Sequence, residues 1–231
     1  MWGAACGLMW TGGQVFVLRA FRAWGVSRTM PLTTALQLLL NATLGVSLFG
    51  EWRAPGALIL GMVALALIML GAAACSWQER TGPGPTPAQR RAGLLATAAS
   101  AVLYGSYPSL LRAVEVPPAH AVGPMGLGLL AGAGLCALIL PRRARLRGPR
   151  IVPAALAGGL WAVGNALMLR STAAVGVASG FTLSQLGFVL ATIGGLTILG
   201  EERTGRERTA VAAGVAAAVV GLVLMGLATG M

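Results

Sequence analysis

The strongest constraint on the fold is a succession of eight long apolar stretches, near residues 1–18, 30–50, 55–77, 93–112, 119–140, 152–169, 175–200 and 209–229. A hydrocarbon core of about 30 Å is spanned by a helix of about 20 apolar residues, whereas helices of soluble domains average about a dozen. The pattern predicts an all-α, polytopic bundle of about eight transmembrane helices. Apolar residues make up 56% of the 231, charged residues only 10%, and mean hydropathy is +0.79. Such a chain has too little polar surface to face water. The glycines and alanines inside the stretches suit membrane helices that approach backbone to backbone.

The net charge of +11 comes from seventeen arginines, with no lysine and no aspartate. These arginines fall between apolar stretches and form no basic face, which excludes a nucleic-acid partner. Counted by alternate loops they are lopsided. The first, third, fifth and seventh loops carry Arg19, Arg22 and Arg28; Arg80, Arg90 and Arg91; Arg142, Arg143, Arg145, Arg147 and Arg150; and Arg203, Arg206 and Arg208. The even loops carry only Arg53, Arg112 and Arg170. Fourteen against three predicts a multi-pass protein of the cell membrane with cytoplasmic odd loops and both termini outside.

The Pro/Gly-rich third loop, residues 79–92, is the expected linker between a first unit, 1–78, and a second, 93–231. Cys6, Cys75 and Cys136 stand singly, with no ligand-spaced partner, so neither a disulfide framework nor a metal site is expected. No catalytic motif or cofactor signature is present either. The expectation is a protein that is not an enzyme and holds no cofactor.

An internal repeat organises the chain. GLMWTGGQVFVLRAFRAWGVS near the start and GGLWAVGNALMLRSTAAVGVA downstream align Trp10 with Trp161, Gln14 with Asn165 and Gly25-Val26 with Gly176-Val177, at a constant separation of 151. The following stretch in each copy is expected to end in Gly-Glu, at Gly50-Glu51 and Gly200-Glu201, one residue out of step with that offset. Helices one to three then correspond to helices six to eight. A shift of five inverts orientation, which is the inverted-repeat arrangement of secondary transporters. The second copy has five helices and the first only three, so two helices of the first copy are expected to be missing before Met1.

The segments running from GVSRTMP through GEW and from LSQLG through GEE resemble the paired repeats of the bacterial glucose/ribose porter family, the glucose-uptake proteins of the drug/metabolite transporter superfamily. The resemblance covers essentially the whole chain. It implies a drug/metabolite transporter fold, here with three plus five helices in place of ten, and a secondary transporter that imports a neutral sugar of glucose or ribose type by alternating access. An exporter of small metabolites or drugs is the alternative, and a truncated, non-transporting membrane protein is another. The lipid bilayer and a small sugar are the expected partners; a coupling proton and the oligomeric state stay open.

Polar side chains at membrane depth usually face a bundle interior or a watery cavity. Gln14 and Asn165 each follow a tryptophan by one helical turn, so amide and indole share a face. Amides exchange hydrogen bonds with sugar hydroxyls, and an aromatic ring lies against the C–H face of a pyranose. The same four residues also fit interhelical bonding by the amides and interfacial anchoring by Trp10 and Trp161. Gln37 and Asn41 on the second helix, with Ser184 and Gln185 on its counterpart, join the candidate substrate site; Thr33 and Thr34 stand beside them, although hydroxyls bonding the helix backbone are the more frequent arrangement. Tyr104 and Tyr107, one turn apart beside Pro108, fit either a gate or interface aromatics, and the membrane interface is the favoured expectation. All six acids lie at helix ends or in loops, which favours a neutral substrate over a cationic drug. Glu51 and Glu201 are candidates for ion coupling, with local bonding to arginine or backbone donors the stronger expectation. His120 is read as a solvated loop residue.

Overall fold

The computed structural model describes residues 1–77, 79, 85–139, 148, 151–185, 187, 189, 190, 193 and 204–230. Among them eight helices follow one another: α1 Trp2–Trp24, α2 Val26–Ser47, α3 Ala57–Ser76, α4 Pro87–Ala113, α5 Pro118–Ile139, α6 Ile151–Val175, α7 Val177–Ser184 and α8 Gly205–Gly230. The protein is an all-helical membrane bundle, and α3, α4, α5, α6 and α8 are each long and apolar enough to cross a bilayer.

Small residues decide how closely the helices pack. The buried face of α3 runs Ala57, Gly61, Ala64, Ile68, Gly71 and Cys75, and that of α8 runs Val211, Gly214, Ala218, Gly221, Met225 and Ala228. Steps of three and four residues keep each row on one stripe. The two stripes meet in antiparallel register: a Cβ on Gly71 would lie 2.6 Å from the Gly214 carbonyl, and one on Gly221 would lie 2.9 Å from that of Ala64. Without a hydrophobic drive between helices in lipid, such backbone approach supplies the van der Waals contact that holds them.

The α1–α5 contact uses the same device: Gly3 lies against Ala121 and Pro124, Gly7 against Met125 and Gly128, Gly128 against Ala4, and Gly132 against Thr11. A Cβ on Gly7 would sit on the Met125 carbonyl and 2.7 Å from the Leu129 nitrogen, both rigid backbone. Gly7→Ala is therefore expected to cost about 1–3 kcal/mol by overpacking. Its repeat equivalent Gly158 (158 minus 7 is again 151) meets nothing within 4 Å. Thermal melting in detergent should show a lowered midpoint for Gly7→Ala and the parent midpoint for Gly158→Ala; equal midpoints would refute the packing argument.

Several expected boundaries move. Helix α1 continues past residue 18 through Arg19 and Arg22, and α2 begins at Val26, so the first loop contracts to Gly25. Long arginine side chains carry their charge back to water from a helical backbone, so an arginine does not by itself end a membrane helix. Likewise α6 runs on through Arg170 to Val175. The expected linker 79–92 loses its last residues to α4, which starts at Pro87. There the Thr86 hydroxyl accepts from the Gln89 N–H while the Gln89 side chain accepts from the Thr86 N–H. That reciprocal cap, with proline at the first helical position, fixes the start.

Helix α2 ends at Ser47, ahead of the Gly50-Glu51 pair, which instead belongs to a turn with left-handed backbone at Gly50, Trp52 and Gly56. Trp52 is held there by its indole N–H donating to the Ser179 hydroxyl at 3.0 Å and by its ring lying against Gly61. Most of the seventh expected span beyond Gln185 falls outside the described residues. So do Gly200, Glu201 and Glu202, along with Arg80, Arg142, Arg143, Arg145, Arg147, Arg150 and Arg203.

The repeat has a backbone signature. Gly25, between α1 and α2, has φ 95° and ψ 160°; Gly176, between α6 and α7, has φ 93° and ψ 163°. That conformation belongs almost solely to glycine. Positions aligned in sequence thus break their helices in the same way.

Candidate functional site

Five helices, α1, α2, α4, α6 and α7, enclose a cavity of about 570 Å³. Its size lies within the range of about 300–1,000 Å³ usual for small-molecule sites. Of its seventeen described lining residues, twelve form six pairs at the separation of 151: Trp10 with Trp161, Gln14 with Asn165, Val17 with Met168, Met30 with Phe181, Thr33 with Ser184, and Thr34 with Gln185. The cavity is built from equivalent positions of the two copies, and no charged residue is among the described lining.

Hydrogen bonds orient the two amides. The Tyr104 hydroxyl donates to Gln14 Oε1, and the Tyr107 hydroxyl donates to Asn165 Oδ1 at 2.6 Å. With each amide oxygen held by a phenol, the NH₂ group is the end left to serve other acceptors. Asn165 is buried and its Nδ2 reaches the Met125 sulfur at 3.4 Å, a weak acceptor. The indoles of Trp10 and Trp161 lie 4.5 Å apart, tilted by 53°, and Trp10 also leans on Tyr104 at 5.4 Å. Thr33 is buried at the wall, and its hydroxyl has no hydrogen-bond partner among the described residues.

Of the candidate substrate residues, Trp10, Gln14, Gln37, Trp161, Asn165, Ser184 and Gln185 line this cavity, together with Thr33 and Thr34. Asn41 does not. Fully buried, it donates to the Gln37 carbonyl at 2.9 Å and accepts from the Ser109 hydroxyl at 3.2 Å, tying α2 to α4. Tyr104 and Tyr107 are the clearest correction: expected at the membrane interface, they line the cavity, and Tyr107 is buried. Their mid-helix position, one turn apart and beside Pro108, was visible in sequence. What sequence could not show is that α4 turns that face onto the two amides. Phe21, Met30 and Phe181 are further lining residues that sequence reading did not single out.

Glu51 lies away from the cavity. Its buried carboxylate pairs with Arg112 of α4 and accepts from the first N–H groups of α7, Val177 at 2.7 Å and Ala178 at 2.8 Å. The guanidinium of Arg112 rests over the Phe49 ring at 4.6 Å. A carboxylate at a helix N-terminus meets unpaired N–H groups and the positive end of the helix dipole. Gly176 allows the approach, because a Cβ there would lie 2.5 Å from the Glu51 carboxyl carbon. Glu201, the other coupling candidate, lies outside the described residues. Among the described residues no group of three or more His, Cys, Asp or Glu side chains is placed to hold a metal ion.

Comparison with known proteins bears on this arrangement. The family model described as sugar transport protein matches residues 1–228. A Listeria innocua protein provisionally named for sugar uptake is 37% identical over 227 residues, which is 97% of this chain and 77% of that protein. The glucose uptake protein of Bacillus subtilis is 34% identical over 227 residues, covering 98% of this chain and 78% of its own length. One crystal structure superimposes with a TM-score of 0.66 at 23% identity, covering 96% of this chain and 75% of that one, a likeness of fold.

Proposed function

Because this chain belongs to the sugar transport protein family, we propose that it imports a neutral sugar of the glucose or ribose type, binding it in the cavity between the two repeats. The observation that carries this reading is the cavity wall: six repeat-related pairs and two tyrosine-held amides, without a charge among the described lining. An uncharged, hydroxyl-rich solute needs donors and acceptors fixed in place and apolar rings for its C–H faces, and it needs no counter-ion. The tilted indoles of Trp10 and Trp161 and the amides of Gln14 and Asn165 supply both.

Transport by alternating access follows from a site built at the junction of two inverted units, 1–78 and 93–231, whose relative rocking exposes it to either side. The arginine count supports odd loops in the cytoplasm and both termini outside. Glu51 has both carboxylate oxygens engaged by Arg112 and the α7 amides, which supports a bracing role over carriage of a coupling proton. A carrier of this kind moves its substrate unchanged, so no catalytic role is assigned to any residue.

The test is uptake. Expressed in a bacterium lacking its own sugar uptake, the chain should admit labelled glucose or ribose above an empty-vector control, and excess unlabelled sugar should compete. Absence of entry for both sugars, combined with efflux of metabolites or drugs, would overturn import in favour of export.

A further inference from the structure

A second cavity, larger than the proposed sugar site, lies outside it. It is a groove of about 1500 Å³ between α2 and α3, open along its side. This exceeds the upper end, about 1,000 Å³, of ordinary small-molecule pockets. Its floor is apolar, with Leu32, Ala35 and Leu39 facing Leu65, Ala66 and Met69. Its mouth, where α1 gives way to α2 and where α3 ends, is lined by Arg28, Trp24, Trp77 and Glu79. From Arg28 to Leu39 the α2 axis advances about 16 Å, the depth of one leaflet's hydrocarbon. A groove with tryptophans and charges at one end and only apolar side chains along that depth has the profile of half a bilayer.

We propose that this groove is a binding site for a single phospholipid with a phosphoethanolamine head, its acyl chains lying along the α2–α3 floor. The mouth offers one cation and one anion, the complement of a zwitterion. Arg28 spends one donor on the Trp24 carbonyl at 3.0 Å, and a guanidinium has five. Its other N–H groups match a phosphate. Glu79 is ion-paired with the exposed Arg206 at 3.8 Å, a separation too long for a hydrogen bond, and its side chain is 36% exposed, so its carboxylate oxygens can still accept from an ammonium. An anionic head would satisfy Arg28 but would bring its negative charge against Glu79.

The experiment is native mass spectrometry of the purified 231-residue chain, delipidated in detergent and then offered equimolar phosphatidylethanolamine and phosphatidylglycerol. The parent should retain one phosphatidylethanolamine in preference to phosphatidylglycerol. Arg28→Gln should reduce retention of both lipids about tenfold, the loss expected for one charge-assisted contact. Glu79→Gln should erase only the preference. Ala66→Phe, which fills the groove and leaves the mouth intact, should abolish retention while the protein still elutes as a folded species. The proposal is overturned if the parent retains no lipid, if it prefers phosphatidylglycerol, or if Arg28→Gln and Ala66→Phe both bind as the parent does.

Discussion

Glu51→Ala is expected to lower the stability of the folded bundle by about 3 kcal/mol, more than any single truncation at the cavity wall. Three interactions end together: the pairing with Arg112 and the bonds from the Val177 and Ala178 amides. A hydrogen bond to a charged group contributes about 1.5–3 kcal/mol, and loss of a helix N-cap alone costs about 0.5–2. Removing one partner of a fully buried ion pair costs about 3–5 kcal/mol. Arg112 is about a third exposed, with side-chain exposure of 35% against 9% for Glu51, so water recovers part of that loss. The contacts tie the α2–α3 turn to α4 and α7, so the loss should appear as a lower melting midpoint in detergent. Glu51→Gln, which keeps one acceptor oxygen and drops the charge, should fall between the alanine variant and the parent. An alanine variant melting with the parent would contradict this account.

Removing the cavity amides should strike transport harder than stability. Gln14→Ala and Asn165→Ala are each expected to cut Vmax/KM for sugar entry about tenfold or more, the equivalent of about 1–2 kcal/mol in lost hydrogen bonds. Each also leaves a tyrosine hydroxyl in the cavity wall without its acceptor. Tyr107→Phe keeps the ring but frees the Asn165 amide to rotate, so it should raise KM by a smaller factor. Asn41→Ala provides the contrast, since Asn41 is buried outside the cavity lining; it should lower the melting midpoint and leave KM unchanged. Measured uptake with the parent KM in both amide variants would remove Gln14 and Asn165 from the proposed substrate site.

Much of this site was legible in one dimension because the repeat repeats its chemistry. Aligning Trp10 with Trp161 and Gln14 with Asn165 selected four residues that prove to line one cavity, and the same offset of 151 relates four further pairs of lining residues. Asn41 shows where that reading runs out. It lies one turn from Gln37 on the same helix, yet only Gln37 reaches the cavity. A helix face is broader than the opening it borders, and the partner helix decides which turn of that face stays uncovered.

Other features were present in sequence but were not used. The pattern Thr-Pro-Ala-Gln at 86–89 forms a reciprocal cap, and Thr-Gly-Arg-Glu at 204–207 forms another, with Thr204 and Glu207 bonding each other's backbone N–H groups. The Glu207 carboxylate also accepts from the Glu79 N–H at 2.7 Å, which joins the end of α3 to the start of α8.

The sequence alone determined that this is a helical membrane protein, because runs of about 20 apolar residues have no other stable environment. It also carried the alignment of Gly25 with Gly176, two positions at which the structure breaks its helices in a conformation that favours glycine whatever surrounds it. Tertiary structure alone decided which polar groups face one another. Glu51 crosses to the other repeat to cap α7, and Tyr104 and Tyr107 turn inward to fix two amides rather than outward to an interface. Hydropathy records only that burying a polar group is costly, and the partner that offsets the cost, 58 to 127 residues away in these bonds, is set by how the helices pack.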